Sequence, residues 1–241
     1  MNKQRTVYIV LIAAILVGLS SCDILGGSDS SGTEPLGGNP SPIGMVGNTF
    51  TANINGVQDL DIEVVAQSGA ISTINYSATF RNASNLSVPG PTASIQDAAL
   101  LPIASAIMGM SGTMQVSGNT ITGTRKFRMT TKGVQDVFDD GSVLTIVNYK
   151  ASTGDTYKKK IDGKEIVRTV TKVSSDDDFP YAFFLIKVVK VEETGLGVPG
   201  ISKVIYYGNH RFGMVGMDVV FEDGTEKKWN FISQNDNESE S

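Results

Sequence analysis

The 241-residue chain has few of the residues on which cysteine and histidine chemistry depends: one Cys, one His and one Trp. A single Cys cannot form an intramolecular disulfide or a Cys-cluster zinc site, and a lone His excludes metal sites built on paired histidines. Basic residues are outnumbered, with 20 Lys and Arg against 25 Asp and Glu, so no nucleic-acid partner is expected. At 40% hydrophobic, the chain is too apolar for a disordered protein and too polar for a multi-span membrane protein.

An apolar run lies at the N-terminus behind two basic residues. Lys3 and Arg5 precede Val7 to Leu19, a stretch of 13 residues without a charge. A membrane-spanning helix needs roughly 20 residues, whereas this length behind a positive n-region is typical of a secretory signal peptide. An amphipathic helix packed against a core would need a polar face, which the run lacks. We therefore expect residues 1–21 to be a signal peptide.

The tetrapeptide Leu-Ser-Ser-Cys at 19–22 resembles the lipobox of bacterial lipoproteins, which is an aliphatic residue, two small residues and a Cys. The resemblance implies that diacylglycerol is attached to the thiol of Cys22, that the bond between Ser21 and Cys22 is cleaved, and that the new amino group is acylated, for example with palmitate. Two or more acyl chains give stable attachment to a membrane. The resemblance therefore implies a lipid-anchored protein of the bacterial cell envelope with no free thiol.

The residues after Cys22 bear on which membrane holds the anchor. Asp23 follows directly, and in enterobacterial lipoproteins an Asp there favours the inner membrane. Surface lipoproteins of the Bacteroidetes type carry a longer acidic run. Phe50-Thr51-Ala52-Asn53-Ile54-Asn55-Gly56 also resembles the first strand of uncharacterised Bacteroidetes lipoproteins. We predict the outer membrane rather than the inner one and leave the periplasmic or surface face open.

Composition divides the remaining chain into three parts. Residues 22–44 contain six Gly, four Ser and three Pro, which predicts a lipidated Cys followed by a flexible tether. Residues 45–233 are predicted to form one β-rich domain, and the polar, acidic residues 234–241 a disordered tail. Without residues 1–21 the chain has 18 basic and 25 acidic residues, a net charge of −7.

Short β-type runs separated by turn dipeptides predict the fold class. Asp162-Gly163 and Asp223-Gly224 each separate two such runs and are typical of tight hairpin turns. Phe183–Val191 is apolar at nearly every position, which predicts a central strand covered on both faces. We expect a mainly β protein, an antiparallel sandwich or barrel.

A helical insertion is predicted near 92–110, because this segment is rich in Ala and lacks β-type alternation. Its apolar side chains are expected either to plug one end of the sheet structure or to form a lid over an apolar ligand. The residues concerned are Leu100, Leu101, Ile103, Ile107 and Met108.

A search for catalytic or cofactor motifs assigns no residue to either role. Gly195–Gly200 fits G-x-G-x-x-G, but a strand-like segment follows where a dinucleotide site needs a helix. His210 is predicted to be a turn residue, and no G-x-S-x-G elbow accompanies it. Asp176-Asp177-Asp178 lacks the spacing of a calcium loop. We expect no cofactor and no metal.

One basic cluster stands out on this acidic chain: Lys158, Lys159, Lys160, Lys164 and Arg168. Such a cluster is suited to contact with anionic lipid or polysaccharide, but exposed lysines also protect an edge strand from pairing with another chain.

Two classes of function follow from these observations. The first is a non-catalytic envelope module that binds an unknown protein, glycan or apolar ligand, in the last case as a lipocalin-like carrier. The second is an envelope glycan hydrolase that uses paired carboxylates. The sequence does not give the distance between such carboxylates in the folded protein. A deep cleft lined by two approaching Asp or Glu side chains would favour the hydrolase, and a closed apolar cavity or a flat exposed patch would favour the binding module.

Overall fold

The computed structural model describes residues 31–52, 57–80, 112–117 and 120–234. These residues are mostly β-strand. The strands are β1 (Thr49–Ala52), β2 (Val57–Ser68), β3 (Ile71–Phe80), β4 (Gly112–Ser117), β5 (Thr120–Thr130), β6 (Gly133–Val137), β7 (Val143–Asn148), β8 (Thr156–Ile161), β9 (Lys164–Val173), β10 (Phe179–Tyr181), β11 (Phe184–Ile186), β12 (Val189–Thr194), β13 (Ile201–Asn209), β14 (Gly213–Phe221) and β15 (Glu226–Gln234).

Thirteen of these strands form one antiparallel sheet. Their order is β7-β6-β5-β3-β2-β1-β15-β14-β13-β12-β9-β8, and β4 pairs with β5 beside β6. Pairing of β1 with β15 joins the N-terminal and C-terminal halves, and the sheet curves until β7 and β8, its two ends, are close together. The predicted mainly β fold, a nearly closed antiparallel barrel or sandwich, is confirmed. The predicted helical insertion at 92–110 lies outside the described residues, which contain a single 3-10 turn at Pro42–Gly44.

Local sequence explains several of the hairpins. Asp162 and Gly163 both have positive φ, at 48° and 80°, as a two-residue turn between right-twisted strands requires. The strand that follows alternates in burial, with Ile166, Arg168 and Val170 directed inward. The predicted hairpin at Asp162-Gly163 is confirmed.

Side chains from both halves of the sheet fill its interior. Val64 and Ile74 come from the N-terminal half, and Val191, Val204 and Val219 from the C-terminal half, within one buried cluster. Strands β6 and β7 are buried on both faces along nearly their whole length. A second layer of chain must therefore cover their outer face.

The N-terminal segment provides that cover, which corrects the expectation of a flexible tether for residues 31–44. The Leu36 N–H donates to Gln135 Oε1 at 2.7 Å, and Arg128 Nε donates to the Leu36 carbonyl at 3.0 Å. The Ser41 N–H donates to the Met129 carbonyl at 3.1 Å. Composition predicted a spacer because these residues show no strand or helix pattern, but their backbone groups bond to the sheet.

The same segment spans the seam between the sheet's two ends. The Gly32 carbonyl accepts from the Thr145 N–H of β7 at 2.8 Å, and the Ser31 carbonyl accepts from the Lys158 N–H of β8 at 2.9 Å. We call residues 31–32 the seam strap. Gly32 has a φ of +67°, and a Cβ there would lie 2.5 Å from Tyr157 Cβ. Only glycine fits this position without displacing the ring of Tyr157.

The predicted central strand at Phe183–Val191 is wrong. This run divides into β11 and β12, and Phe183 lies in the turn of the separate β10–β11 hairpin. One side of this hairpin packs outside the main sheet, where Tyr181 and Ile186 contact Val215. An uninterrupted apolar run does not distinguish a buried strand from a hairpin with an exposed apolar tip.

Candidate functional site

An open groove of about 390 Å³ lies on the outer face of β2, β3, β5 and β4. The strand registers align its outward-facing residues in two rows across the four strands. One row is Glu63, Asn75, Thr124 and Thr113, and the other is Asp61, Ser77, Thr122 and Gln115.

Each row presents the same set of chemical groups. It has one carboxylate, one side-chain amide and two hydroxyls, all of which can hydrogen-bond to a polar ligand. Thr124 Oγ1 donates to Asn75 Oδ1 at 3.0 Å, which links two neighbouring strands within one row. Because the charged members are Asp61 and Glu63, the groove favours neutral or cationic ligands.

Gly123 and Tyr76 also line the groove, and the side chain of Tyr76 lies on the opposite, buried face of β3. The Tyr76 hydroxyl donates to the Thr113 carbonyl at 2.9 Å and so ties the β4 backbone to β3 across β5. A Cβ at Gly123 would collide with this hydroxyl and with the Thr113 carbonyl. Burial raises the pKa of Tyr76 to about 12, although Arg125 acts in the opposite direction. Tyr76 is therefore a neutral hydrogen-bond donor at physiological pH.

A network of four charged side chains lies inside the sheet. Arg168 is fully buried; its Nε pairs with Glu193, and its Nη2 lies 2.5 Å from Asp136 Oδ2. The other Asp136 oxygen pairs with Arg125. The Arg168 Nη1 donates to two backbone carbonyls of β7, each at 3.1 Å. These contacts connect β5, β6 and β7 to β9 and β12, which lie near opposite ends of the strand order.

The charges of this network compensate one another, because two guanidinium groups face two carboxylates. Burial alone would raise the pKa of Asp136, but Arg125 and Arg168 lower it below its ordinary value. Burial disfavours the charged form of Arg168, yet Glu193 and Asp136 raise its pKa. The Tyr206 hydroxyl donates to Glu193 Oε1 at 3.3 Å. With these partners filled from within the chain, the network is a structural cross-tie between the two halves.

The structure divides the predicted basic cluster. Lys158, Lys160 and Lys164 are exposed, and Lys159 Nζ donates to Ser142 Oγ at 2.7 Å. Arg168 does not share their surface, since it is fully buried and paired with carboxylates. Its inclusion in an anionic contact surface is therefore wrong: it is in phase with the inward-facing residues of β9, and not with the exposed lysines.

Other residues considered from the sequence have ordinary structural surroundings. Gly195–Gly200 lies between β12 and β13, as the strand-connecting interpretation requires. His210 is exposed in the turn between β13 and β14. Asp178 accepts from Ser174 Oγ at 2.8 Å and pairs with Lys172. No group of three or more His, Cys, Asp or Glu that could hold a metal ion occurs within the described ranges.

The lipidation and lid predictions concern residues outside the described ranges. They are the cleavage and lipidation residues Ser21 and Cys22 and the lid candidates Leu100, Leu101, Ile103, Ile107 and Met108. Among the residues that the structure does cover, no helix has the length and apolar character needed to span a membrane.

Sequence reasoning missed the groove. The signal was present as polar residues at alternate positions, for example Asp61 and Glu63 in β2 and Thr122 and Thr124 in β5. Alternation shows that these pairs share a face of a strand. It does not show that four strands align them, because that depends on pairing between strands distant in sequence.

Comparison with known proteins gives little further information. No protein-family model matches the chain, and no curated protein matches it. Among solved structures, the chain is similar to the hypothetical protein CT021 from Chlamydia trachomatis, with 9% sequence identity and a TM-score of 0.26. The match covers 85% of this chain and 91% of the other.

Proposed function

We propose that the protein is a lipid-anchored module of the bacterial cell envelope that binds a hydroxyl-rich ligand, a saccharide, in the groove of β2, β3, β5 and β4. The choice of a saccharide rests on the two aligned rows. They present carboxylates, amides and hydroxyls on one open face. The lipobox-like sequence ending at Cys22 supports the anchor, and we propose the outer membrane as its location.

The charge and shape of the groove restrict the class of ligand that it can bind. Sugar hydroxyls can donate to Asp61 and Glu63 and can both donate to and accept from the amides and hydroxyls of the rows. The two carboxylates would repel a phosphate or sulfate group, so we propose a neutral or amino-substituted glycan. The open form of the groove suits a segment of a chain lying across the strands.

Binding is favoured over hydrolysis at this groove. Asp61 and Glu63 are neighbours on one face of β2, so their Cα atoms are about 6.6 Å apart, and glycosidases place two carboxylates at comparable separations. Both side chains are exposed, however, whereas a glycosidase acid is held in an apolar pocket that excludes water. Hydrolysis is the alternative that the experiment below tests.

The proposal favours a polar ligand over the predicted apolar one. A lipocalin-like carrier needs an apolar cavity. In the described part of the chain, side chains of both halves pack against each other in the interior, and the charged cross-tie crosses the space between them. The groove, by contrast, is open and polar.

The test measures binding of soluble envelope-glycan fragments by calorimetry. Asn75→Ala and Asp61→Asn each remove or weaken hydrogen bonds worth about 0.5–1.5 kcal/mol, so we expect a roughly two- to tenfold weaker Kd. Glu222→Gln, an exposed carboxylate in the β14–β15 turn, is the control and should bind as the wild type does. Equal affinities for all variants would refute the groove as the binding site. Release of reducing ends from the glycan would establish hydrolysis instead.

A further inference from the structure

The β10–β11 hairpin exposes three consecutive apolar side chains at its tip. Phe183 is 103% exposed, Phe184 50% and Leu185 54%. Single exposed apolar residues are ordinary, but a contiguous group that includes a fully exposed Phe marks an interaction surface. We call these three residues the apolar tip.

The hairpin is firmly attached to the sheet behind the apolar tip. The ring of Tyr181 stacks on Phe212 with centroids 4.6 Å apart, and Phe179 lies 4.8 Å from Tyr207. The Ser233 N–H donates to the Tyr181 hydroxyl at 3.4 Å. The apolar tip is thus presented on a fixed base. A surface fixed in this way can bind without first losing conformational freedom.

The turn that carries Phe183 has an unfavourable backbone. Tyr181 pairs with Phe184, which leaves Ala182 and Phe183 as a two-residue turn. Ala182 has a φ of +50°, a region that favours glycine at the first position of such turns. Strain of this kind costs stability, and such positions are concentrated at functional sites.

A cationic side chain, Arg211, accompanies the aromatic residues beside the apolar tip. The guanidinium of Arg211 lies 5.3 Å from the centroid of Phe212, and Phe212 lies 5.9 Å from Phe184. Lys187, which follows β11, and Asp178, which precedes β10, flank the base of the hairpin, away from its turn.

We propose that the apolar tip inserts into the headgroup region of a phospholipid bilayer. Aromatic and aliphatic side chains flanked by Arg and Lys are typical of segments at the membrane interface. The fully exposed Phe183 can enter a fluid surface, and the exposed Arg211 complements anionic headgroups. The inference rests on the proposed lipid anchor, which keeps the domain beside a bilayer, and it gives the groove a fixed orientation relative to that membrane.

The experiment places an environment-sensitive fluorophore on Phe183→Cys in the full-length, lipidated protein. Acylation of Cys22 leaves position 183 as the reactive thiol. The protein is reconstituted in vesicles of phosphatidylethanolamine and phosphatidylglycerol, and nitroxide-labelled lipid and aqueous iodide are used as quenchers. The matched control is the same fluorophore on Glu222→Cys, an exposed residue of the β14–β15 turn.

We expect nitroxide lipid to quench the label at 183 several times more strongly than the label at 222, and iodide to quench it less. Equal quenching at both positions by both reagents would overturn the proposal, as would protection of position 183 only after a partner protein is added. Labelling of Cys22, read by mass spectrometry, would refute the anchor separately. Asn75→Ala should leave membrane insertion of the apolar tip unchanged. The insertion result is therefore independent of whether the groove binds a saccharide.

Discussion

At the scale of single residues, the buried cross-tie shows how the chain accommodates charge in an apolar interior. Asp136 sits between two guanidinium groups, and Arg168 is held by two carboxylates and two carbonyls. Each ion is costly to bury alone, but the set is neutral and hydrogen-bonded. Removing one member should therefore lower the free energy of unfolding by more than the whole set contributes to it, because the removal leaves a buried charge uncompensated.

Asp136→Ala should lower the free energy of unfolding by about 3–5 kcal/mol, as measured by urea denaturation at neutral pH. The exposed Asp139→Ala is the matched control and should change it by about 0.5 kcal/mol or less. A loss no larger than that of the control would show that the two arginines find other compensation.

The pH dependence of the same network has a defined sign. The pKa of Asp136 is lowered in the folded state, so its contribution to stability is present above the unfolded value of about 3.9. That contribution is lost as the pH falls from there toward the lower folded pKa. The stability difference between the wild type and Asp136→Asn should consequently shrink below about pH 3.9. A difference that grows with acidification would contradict the assignment.

At the scale of elements, the seam strap shows how an irregular segment completes the sheet. Strands β7 and β8 would each leave edge groups unpaired, and residues 31–32 accept a hydrogen bond from each strand. Exposed sheet edges invite pairing with other chains. The strap therefore protects both edges at once and holds the two halves of the sheet together.

Gly32→Ala should lower stability by about 1–3 kcal/mol more than Gly47→Ala does. Both glycines have positive φ, but a Cβ at Gly32 meets Tyr157 while a Cβ at Gly47 meets nothing within 4 Å. Both variants place a side chain at positive φ, but only Gly32→Ala displaces the strap. Comparing the two variants therefore separates the cost of the backbone conformation from the cost of displacing the strap. Hydrogen exchange should also become faster at the Thr145 and Lys158 amides in Gly32→Ala alone, and equal exchange in both variants would refute a role for the strap at the seam.

The elements also show what the sequence could and could not predict. Turn chemistry is local, so the hairpin at Asp162-Gly163 was predicted and confirmed. Arg168 was grouped with nearby lysines because they are close in sequence, although its spacing from Ile166 and Val170 already placed it on the inward face. The groove could not be predicted, because the registers that align β2, β3, β5 and β4 join segments up to about 60 residues apart and depend on tertiary pairing.

At the scale of the whole molecule, the strap determines how far the folded domain can lie from its proposed anchor. The composition predicted a flexible spacer up to residue 44, but Ser31 already contacts β8. Nine residue steps separate Cys22 from Ser31, and a fully extended chain spans at most about 3.3–3.6 Å per residue. The seam would therefore lie within roughly 30 Å of the bilayer, close enough for the apolar tip and the groove to take defined positions above the membrane.

This arrangement depends on acylation of Cys22, which a single substitution tests. In a native bacterial host, Cys22→Ser should lose incorporation of labelled palmitate, because serine has no thiol to accept diacylglycerol. Its signal peptide should also stay uncleaved by the lipoprotein signal peptidase, since that cleavage follows lipidation. Ser21→Ala keeps a small residue before the Cys and should be processed and labelled like the wild type. Palmitate on the Cys22→Ser protein would show that the lipid is attached elsewhere, and the distance limit set from residue 22 would then no longer hold.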